Sequence, residues 1–166
     1  MSARPPKDAR GAIILLTVGT TDFDELVRAV DVLAPGLPDQ VVAQIGRGTY
    51  EPCQMKYFRF APSLDDWYSR AKLVIAHGGL GTAIEVLQRG LPLVAVSNPD
   101  RYDRHQDDLL RAFEERGHLL WCRDLRDLGG ALRAAASMSF TPYTTPACHI
   151  AQKIRAYLGL RESTPG

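Results

Sequence analysis

Residues 72–87, KLVIAHGGLGTAIEVL, decide the fold of this chain. They begin with an apolar run of strand length, continue with a glycine-rich turn and end in a helical pattern. Glycines let a backbone approach a phosphate closely, and the first N–H groups of a helix have no partner within the helix. The stretch therefore predicts a buried strand, an anion-binding turn and a helix. A tight turn that uses glycine for sterics alone is the alternative.

The same alternation of strand and helix extends on both sides of this stretch. The predicted strands are residues 12–18, 41–45, 55–60, 72–76, 93–96 and 118–122. The predicted helices are residues 23–33, 65–71, 82–89, 103–116, 125–136 and 146–158. Uniformly apolar strands separated by helices are typical of a parallel sheet covered on both faces. We therefore expect an α/β fold, a Rossmann-like, doubly wound, mainly parallel sheet of about six strands.

Composition indicates an ordinary globular chain. Of 166 residues, 45% are hydrophobic and 23% are charged, and a net charge of +1 gives no reason to expect nucleic acid as a partner. The three cysteines, Cys53, Cys122 and Cys148, lack metal-ligand spacing and fit a reducing compartment. No stretch approaches the roughly 20 apolar residues that span a bilayer, and residues 1–10 lack the apolar core of a signal peptide. We expect a soluble, cytoplasmic protein.

Polar side chains collect where the predicted strands end, which is where ligands bind in such sheets. Glu85 follows Thr82 by three residues and shares its helix face, so its carboxylate could accept both hydroxyls of a ribose. His105 and Gln106 follow the next strand and could donate to phosphate or sugar hydroxyls. Solvated positions on their helices are the alternative for all three.

The combination of these motifs resembles a known family. Residues 75–106, IAHGGLGTAIEVLQRGLPLVAVSNPDRYDRHQ, resemble the C-terminal, donor-binding half of GT-B glycosyltransferases of family 28. Residues 15–27, LLTVGTTDFDELV, resemble the Alg13-like and bacterial exopolysaccharide (PssE-like) subunits. The resemblance implies a UDP-sugar-dependent hexosyltransferase that inverts the anomeric centre. We expect three parts of the chain: a flexible N-terminus (1–11), a donor-binding domain (12–145) and a C-terminal helix and tail (146–166).

The resemblance also implies site residues. The diphosphate would lie on the glycine loop, with its β-phosphate near the loop after the first strand, and Glu85 would bind the ribose. His105 and Gln106 would contact the donor phosphate and sugar. The segment after the third strand would contact the edge of the uracil. The implied residues are Gly19, Thr20, Thr21, Phe60, Ala61, His77, Gly78, Gly79, Leu80, Gly81, Thr82, Glu85, His105 and Gln106.

The chemistry needs donors that stabilise charge on the departing diphosphate and a base that deprotonates the acceptor. No DxD-type acidic pair lies beside the glycine loop, so we expect no metal to be required. Asp22 and Asp24 are weak candidates for the base, since both also suit the start of a helix. We expect the base to come from a partner.

The resemblance implies that partner. The length fits one half of a two-domain active site, so we expect a membrane-anchored, acceptor-binding subunit similar to Alg14 or PssD. It would recruit the chain to the inner face of the cytoplasmic membrane and bind a lipid-linked sugar acceptor in polysaccharide synthesis. An apolar stripe in residues 147–158 could pack on the sheet or dock on this partner.

Three alternative functions can be compared with that of a donor-binding subunit. A UDP-sugar epimerase would need a second half that 166 residues do not supply. An NAD-dependent enzyme would carry GxGxxG after the first strand, where this chain has Gly19, Thr20 and Thr21. A non-catalytic nucleotide-sugar-binding or scaffold subunit that regulates a partner stays open.

Overall fold

Six apolar runs pair as parallel strands in the order Lys56–Phe58 (β3), Gln40–Gln44 (β2), Ile13–Thr17 (β1), Ala71–His77 (β4), Leu93–Val96 (β5) and Leu120–Cys122 (β6). The computed structural model describes residues 11–98 and 104–145, without the side chains of residues 104 and 105. The order reverses between β1 and β4, so the crevice at the carboxyl ends of these two strands is the topological switch point. The predicted doubly wound sheet of six strands is confirmed.

Helices alternate with the strands along the chain. In sequence order the elements are β1 (Ile13–Thr17), α1 (Asp24–Leu33), β2 (Gln40–Gln44), β3 (Lys56–Phe58), α2 (Asp65–Tyr68), β4 (Ala71–His77), α3 (Leu80–Gln88), β5 (Leu93–Val96), α4 (Arg104–Glu115), β6 (Leu120–Cys122) and α5 (Leu128–Ser137). Short 3₁₀ turns at Ala34–Gly36 and Leu125–Asp127 follow α1 and precede α5. Within the described ranges, no helix combines the length and the apolar character needed to cross a membrane.

Both faces of the sheet are covered, which explains why β1 is apolar at every position except its last. Ile14 and Leu16 face the cluster formed with α1 and α5. Ile13 and Leu15 face the cluster formed with α2, α3 and α4. All four side chains are buried, and burying each one contributes about 1.5–3 kcal/mol of hydrophobic free energy.

Three helix boundaries differ from the prediction by two or three residues; one of them is the start of α5, which lies at Leu128 because Leu125–Asp127 forms a 3₁₀ turn. Helix α3 begins at Leu80, two residues before the predicted start, because Gly79 adopts the extended N-cap conformation and its carbonyl accepts from Ala83 N–H at 3.0 Å. Thr82 is therefore inside the helix and does not cap it. Helix α2 ends at Tyr68 because the chain enters β4 at Ala71.

Residues 138–145 pack against the body of the protein. Thr141 N–H donates to the Gly117 carbonyl at 2.8 Å, and His118 Nδ1 lies 2.9 Å from the Thr141 carbonyl. The Tyr143 ring meets Phe113 and His118 edge-on. His118 thus has a structural role. The predicted last helix and its apolar stripe lie outside the described residues.

Two aspartates of α1 fix the long loop between β2 and β3. Asp24 Oδ2 accepts from Thr49 N–H, Thr49 Oγ1 and Tyr50 N–H at 2.6–3.1 Å. Asp31 is buried and accepts from Tyr50 Oη, Cys53 N–H and Gln54 N–H at 2.8–3.0 Å. Burial alone would raise the pKa of Asp31, but these hydrogen bonds outweigh it and the net pKa is lowered.

We expect Asp31→Asn to lower the free energy of unfolding by about 1–3 kcal/mol, because the amide turns a donor toward N–H and O–H groups that need an acceptor. The folded-state pKa of Asp31 lies below the unfolded value of about 3.9. The stabilisation is therefore present above the unfolded pKa and is lost as the pH falls through the folded pKa. Urea unfolding at about pH 7 and about pH 3 measures both effects, since the wild-type advantage over the variant shrinks at low pH.

The matched control is Asp108→Asn, whose carboxylate is 71% exposed on α4. It should change stability by less than about 0.5 kcal/mol. Equal stability of Asp31→Asn and the wild type at neutral pH would contradict the structural role of Asp31.

Candidate functional site

Two glycine-containing loops meet at the switch point, one after β1 and one after β4. The His77 side chain lies between them, because a Cβ on Gly19 would be 3.1 Å from its Cε1 and a Cβ on Gly79 would be 2.4 Å from its Nε2. Gly19 has a positive φ of 66°, which favours glycine, and a side chain at Gly79 would force the His77 ring to move, so the two backbones approach the same histidine closely. The structure thus brings together three of the residues predicted for the site, Gly19, His77 and Gly79.

The loop after β2 supports the loop after β1. Gly46 has a positive φ of 52°, and a Cβ there would lie 2.2 Å from the Thr21 carbonyl oxygen and 2.8 Å from that of Gly19. The N–H of Arg47 donates to the Thr21 carbonyl at 2.9 Å. Gly46 therefore packs against the backbone of the loop after β1 and supports it, a role that was not predicted from the sequence.

Hydroxyl groups of the first loop divide into internal and exposed ones. Thr17 Oγ1 donates to Gln44 Oε1 at 2.6 Å and accepts from Gly19 N–H at 3.1 Å. Thr21 Oγ1 donates to the Val18 carbonyl at 2.8 Å, whereas Thr20 is exposed. Of the two predicted threonines, Thr20 is thus the one whose hydroxyl is open to a ligand, and the hydroxyl of Thr21 orders the loop.

Thr17 and Gln44 are fully or almost fully buried, and their role in ordering the first loop was not predicted from the sequence. Each is the last residue of its strand, and a polar side chain ending an apolar strand was the available signal.

The loop after β4 presents helix amides to the crevice. Gly78 N–H and Gly79 N–H are used within the protein, donating to the carbonyls of Val96 and His77. The next amides, of Leu80, Gly81 and Thr82, belong to the first turn of α3, where N–H groups have no helical acceptor. Gly81 is exposed, and even a Cβ at this position would meet nothing within 4 Å, so a ligand can approach this turn closely.

Glu85 lies one turn further along α3 in a polar cluster. Its Oε2 is 3.4 Å from Tyr68 Oη, its Oε1 is 3.5 Å from Arg89 Nη2, and its side chain is 44% exposed. Burial raises the pKa of Tyr68, and the negative charge of Glu85 raises it further, so Tyr68 stays a hydrogen-bond donor. A half-exposed carboxylate fixed on its inner side can accept hydrogen bonds from a ligand.

Helix α4 enters the same edge from β5. Its first turn is fixed by Asp107, whose Oδ1 accepts from Ser97 Oγ at 3.2 Å, while Ser97 Oγ accepts from Trp121 Nε1 at 2.7 Å. Gln106 is half-buried in this turn, and His105 lies in the helix beside it. The Asp107 carboxylate therefore ties α4 to Ser97 at the end of β5 and, through Ser97, to Trp121 of β6.

The remaining predicted residues follow β3 or lie near the start of α1. Phe60 and Ala61 follow β3, the edge strand, and the Phe60 ring is 45% exposed and able to stack on a flat base. Asp22 is exposed just before α1. Asp24 Oδ2 accepts hydrogen bonds from the β2–β3 loop. Burial alone would raise the pKa of Asp24, but the hydrogen bonds from Thr49 and Tyr50 outweigh this effect and the net pKa is lowered. Its environment is that of a structural carboxylate.

Metal-ligating residues do not converge in this part of the protein. Among the residues that the structure describes, no group of three or more His, Cys, Asp or Glu side chains could hold a metal ion.

Known proteins carry the same sequence pattern. The family model of the glycosyltransferase family 28 C-terminal domain matches residues 13–157. The Mus musculus protein named UDP-N-acetylglucosamine transferase subunit ALG13 is 37% identical over 120 residues, which are 64% of this chain and 10% of that protein. The chain therefore spans about a tenth of the length of this relative.

Solved structures share the fold. An NMR structure of ALG13 superposes with a TM-score of 0.57 at 20% identity, covering 88% of this chain and 94% of that one. The Streptomyces sp. SF2575 glycosyltransferase SsfS6, solved in complex with thymidine diphosphate, gives a TM-score of 0.61 at 21% identity, covering 80% of this chain and 35% of that one. At such identities the likeness establishes the architecture only.

We expect Gly46→Ala to destabilise the protein by about 1–3 kcal/mol, because the methyl group meets two carbonyl oxygens at a positive φ. Gly36→Ala is the control, since a Cβ there meets nothing within 4 Å. Chemical denaturation of both variants checks the difference. Equal midpoints for the two variants would show that the first loop does not depend on Gly46.

Proposed function

Because the chain belongs to the glycosyltransferase family 28 C-terminal domain family, we propose that it is the catalytic, donor-binding subunit of a two-component inverting glycosyltransferase. It takes a hexose, hexuronic acid or N-acetylhexosamine from a UDP-sugar and transfers it to a lipid-linked acceptor in polysaccharide biosynthesis. The observation that carries this proposal is the meeting of the α3 amides and the half-exposed Glu85 at the switch point of the sheet.

The leaving group is the part of the reaction that this site suits best. Negative charge builds on the diphosphate as the anomeric C–O bond breaks, and the amides and dipole of a helix N-terminus stabilise that charge. The first turn of α3 supplies them after Gly79, with Thr20 on the facing loop. We expect these groups to replace a metal ion in this role.

The nucleoside and sugar parts extend from the diphosphate in two directions. Glu85 accepts from the ribose hydroxyls, and the loop at Phe60 and Ala61 contacts the uracil, where the exposed ring of Phe60 can stack. His105 and Gln106, at the start of α4, contact the donor phosphate and sugar. This order follows the order of the strands from the edge at β3 to β5.

The proposed partner is a membrane-anchored, acceptor-binding subunit of the Alg14 or PssD kind. The relative that resembles the chain is named as a transferase subunit, which supports a complex of more than one chain. The partner would supply the general base, since Asp24 is engaged with its own loop. It would also place this chain at the inner face of the cytoplasmic membrane.

The name of the relative favours N-acetylglucosamine among the candidate donor sugars. The alternative is a scaffold subunit that binds a nucleotide sugar without taking part in transfer. The two differ in whether the donor contacts of this chain are needed for turnover.

We expect the chain to bind UDP, and Gly79→Ala to weaken that binding by at least about tenfold, the cost of one charge-assisted hydrogen bond. The added Cβ would lie 2.4 Å from His77 Nε2, so the His77 ring and the loop that presents the amides would have to move apart. Calorimetric titration with UDP and with uridine separates the loss of diphosphate contacts from any other effect on binding. Uridine has no phosphate, so the substitution should leave its affinity unchanged.

Gly130→Ala in α5 is the control, because the nearest atom to its Cβ, Arg133 Nη2, is 4.0 Å away. Absence of UDP binding by the wild type would refute the proposed site.

We expect Glu85→Ala to lower kcat/KM of the assembled complex by about 10- to 100-fold, since a charged acceptor of two hydroxyls is lost. The measurement is sugar transfer to a polyprenyl-diphosphate-linked acceptor by the co-purified complex, with a panel of UDP-sugars as donors. Glu115→Ala, on the exposed face of α4, is the matched control. A Glu85→Ala complex with full activity would favour the scaffold alternative.

A further inference from the structure

Arg89 joins two carboxylates and an aromatic ring beside the proposed ribose position. Its Nη2 forms a salt bridge with Asp65 and lies 3.5 Å from Glu85 Oε1, and its Nη1 donates to the Glu85 carbonyl at 3.0 Å. Its Cζ stands 4.8 Å from the centre of the Tyr68 ring. The guanidinium is thus fixed on several sides, which lets it restrict Glu85 although both side chains are partly exposed.

Tyr68 restricts the same carboxylate from the inside. Its side chain is 2% exposed, and its Oη lies 3.4 Å from Glu85 Oε2. The position of Tyr68 is set by its neighbour Trp67, which is buried and stacks on Phe58 of β3 at 4.8 Å between ring centres. The phenol therefore contacts Glu85 from a rigid part of the core.

The cluster also reaches the loop that the proposed function assigns to the uracil. Asp65 Oδ2 accepts from Ser63 Oγ at 2.7 Å, and Ser63 Oγ accepts from Asp65 N–H at 3.0 Å. Arg89 thus connects the end of the Phe60–Ser63 segment to Glu85. Removing Arg89 would leave two carboxylates near each other without their shared cation, and Glu85 would turn toward solvent.

We propose that Tyr68 and Arg89 are positioning residues that hold Glu85 ready for the 2′- and 3′-hydroxyls of a nucleotide, and so make the site select ribonucleotides over deoxyribonucleotides. The proposal rests on the proposed function, because it assumes that a nucleoside diphosphate lies along α3. A preorganised acceptor loses little conformational freedom on binding, whereas a mobile one gives up much of the gain from each hydroxyl. The two residues act through Glu85 and need not touch the ligand.

The test compares UDP with 2′-deoxy-UDP, which differ in one hydroxyl group. The wild type should bind UDP about tenfold more tightly than 2′-deoxy-UDP, the worth of one hydrogen bond to a charged acceptor. Tyr68→Phe, which removes one oxygen atom from a buried ring, and Arg89→Met should each bring this ratio below about threefold. Calorimetry on the full chain gives both dissociation constants. Arg89→Lys should recover part of the ratio, since it keeps the charge without the planar fork.

The chain offers a matched control in Arg123, whose guanidinium also stacks on an aromatic ring, at 3.8 Å from Trp121, and pairs with Glu114 at 2.7 Å. Arg123→Met should leave the ratio unchanged. If Tyr68 and Arg89 had a purely structural role, their substitution would weaken the binding of both nucleotides equally and leave the ratio of dissociation constants unchanged. That result would overturn the proposal, whereas UDP binding by the wild type would still support the proposed function. A wild type that binds neither nucleotide would refute both.

Discussion

The pairing of β1 with β4 is the constraint on which the site depends. These strands are neighbours although α1, β2, β3 and α2 separate them in sequence, and their register sets Leu16 beside Ile75 and Thr17 beside Ala76. Because the two carboxyl ends are level, the loops that follow them meet around His77. Apolar burial on both faces of β1 and β4 therefore decides, from inside the core, where backbone amides and polar side chains converge.

Carboxylates in this protein have different roles because their partners differ. Asp31 is buried and accepts several hydrogen bonds, and Asp24 accepts three on one oxygen, so each stabilises a loop at the cost of its availability. Glu85 has only two long contacts and keeps 44% of its side chain exposed. A carboxylate that is oriented and still accessible is the kind that can bind a ligand hydroxyl, and Glu85 alone of the three fits this description.

The sheet was predicted well because short, uniformly apolar runs are typical of strands buried on both faces of a parallel sheet. The glycine loop was predicted because Gly78, Gly79 and Gly81 directly follow such a run. The prediction failed at the start of α3, where Thr82 has the chemistry of a cap but Gly79 has the required conformation. The Arg89 cluster and the support from Gly46 were not predictable, since both join residues from elements that meet only in the folded chain. Local pattern identifies which residues can do chemistry, and tertiary contacts decide which of them are free for it.

Under the proposed function, the geometry of inversion explains why the described residues at this edge include no evident base. In an inverting displacement, the acceptor hydroxyl attacks the anomeric carbon from the side opposite the departing diphosphate, so its base must also lie on that opposite side. The groups at the carboxyl edge, from the α3 amides to the start of α4, are those proposed to surround the diphosphate and the donor. A base among them would be on the leaving-group side. Under the proposed function, the arrangement that suits the chain to stabilise the leaving group therefore places the base across the cleft, on the proposed acceptor-binding subunit.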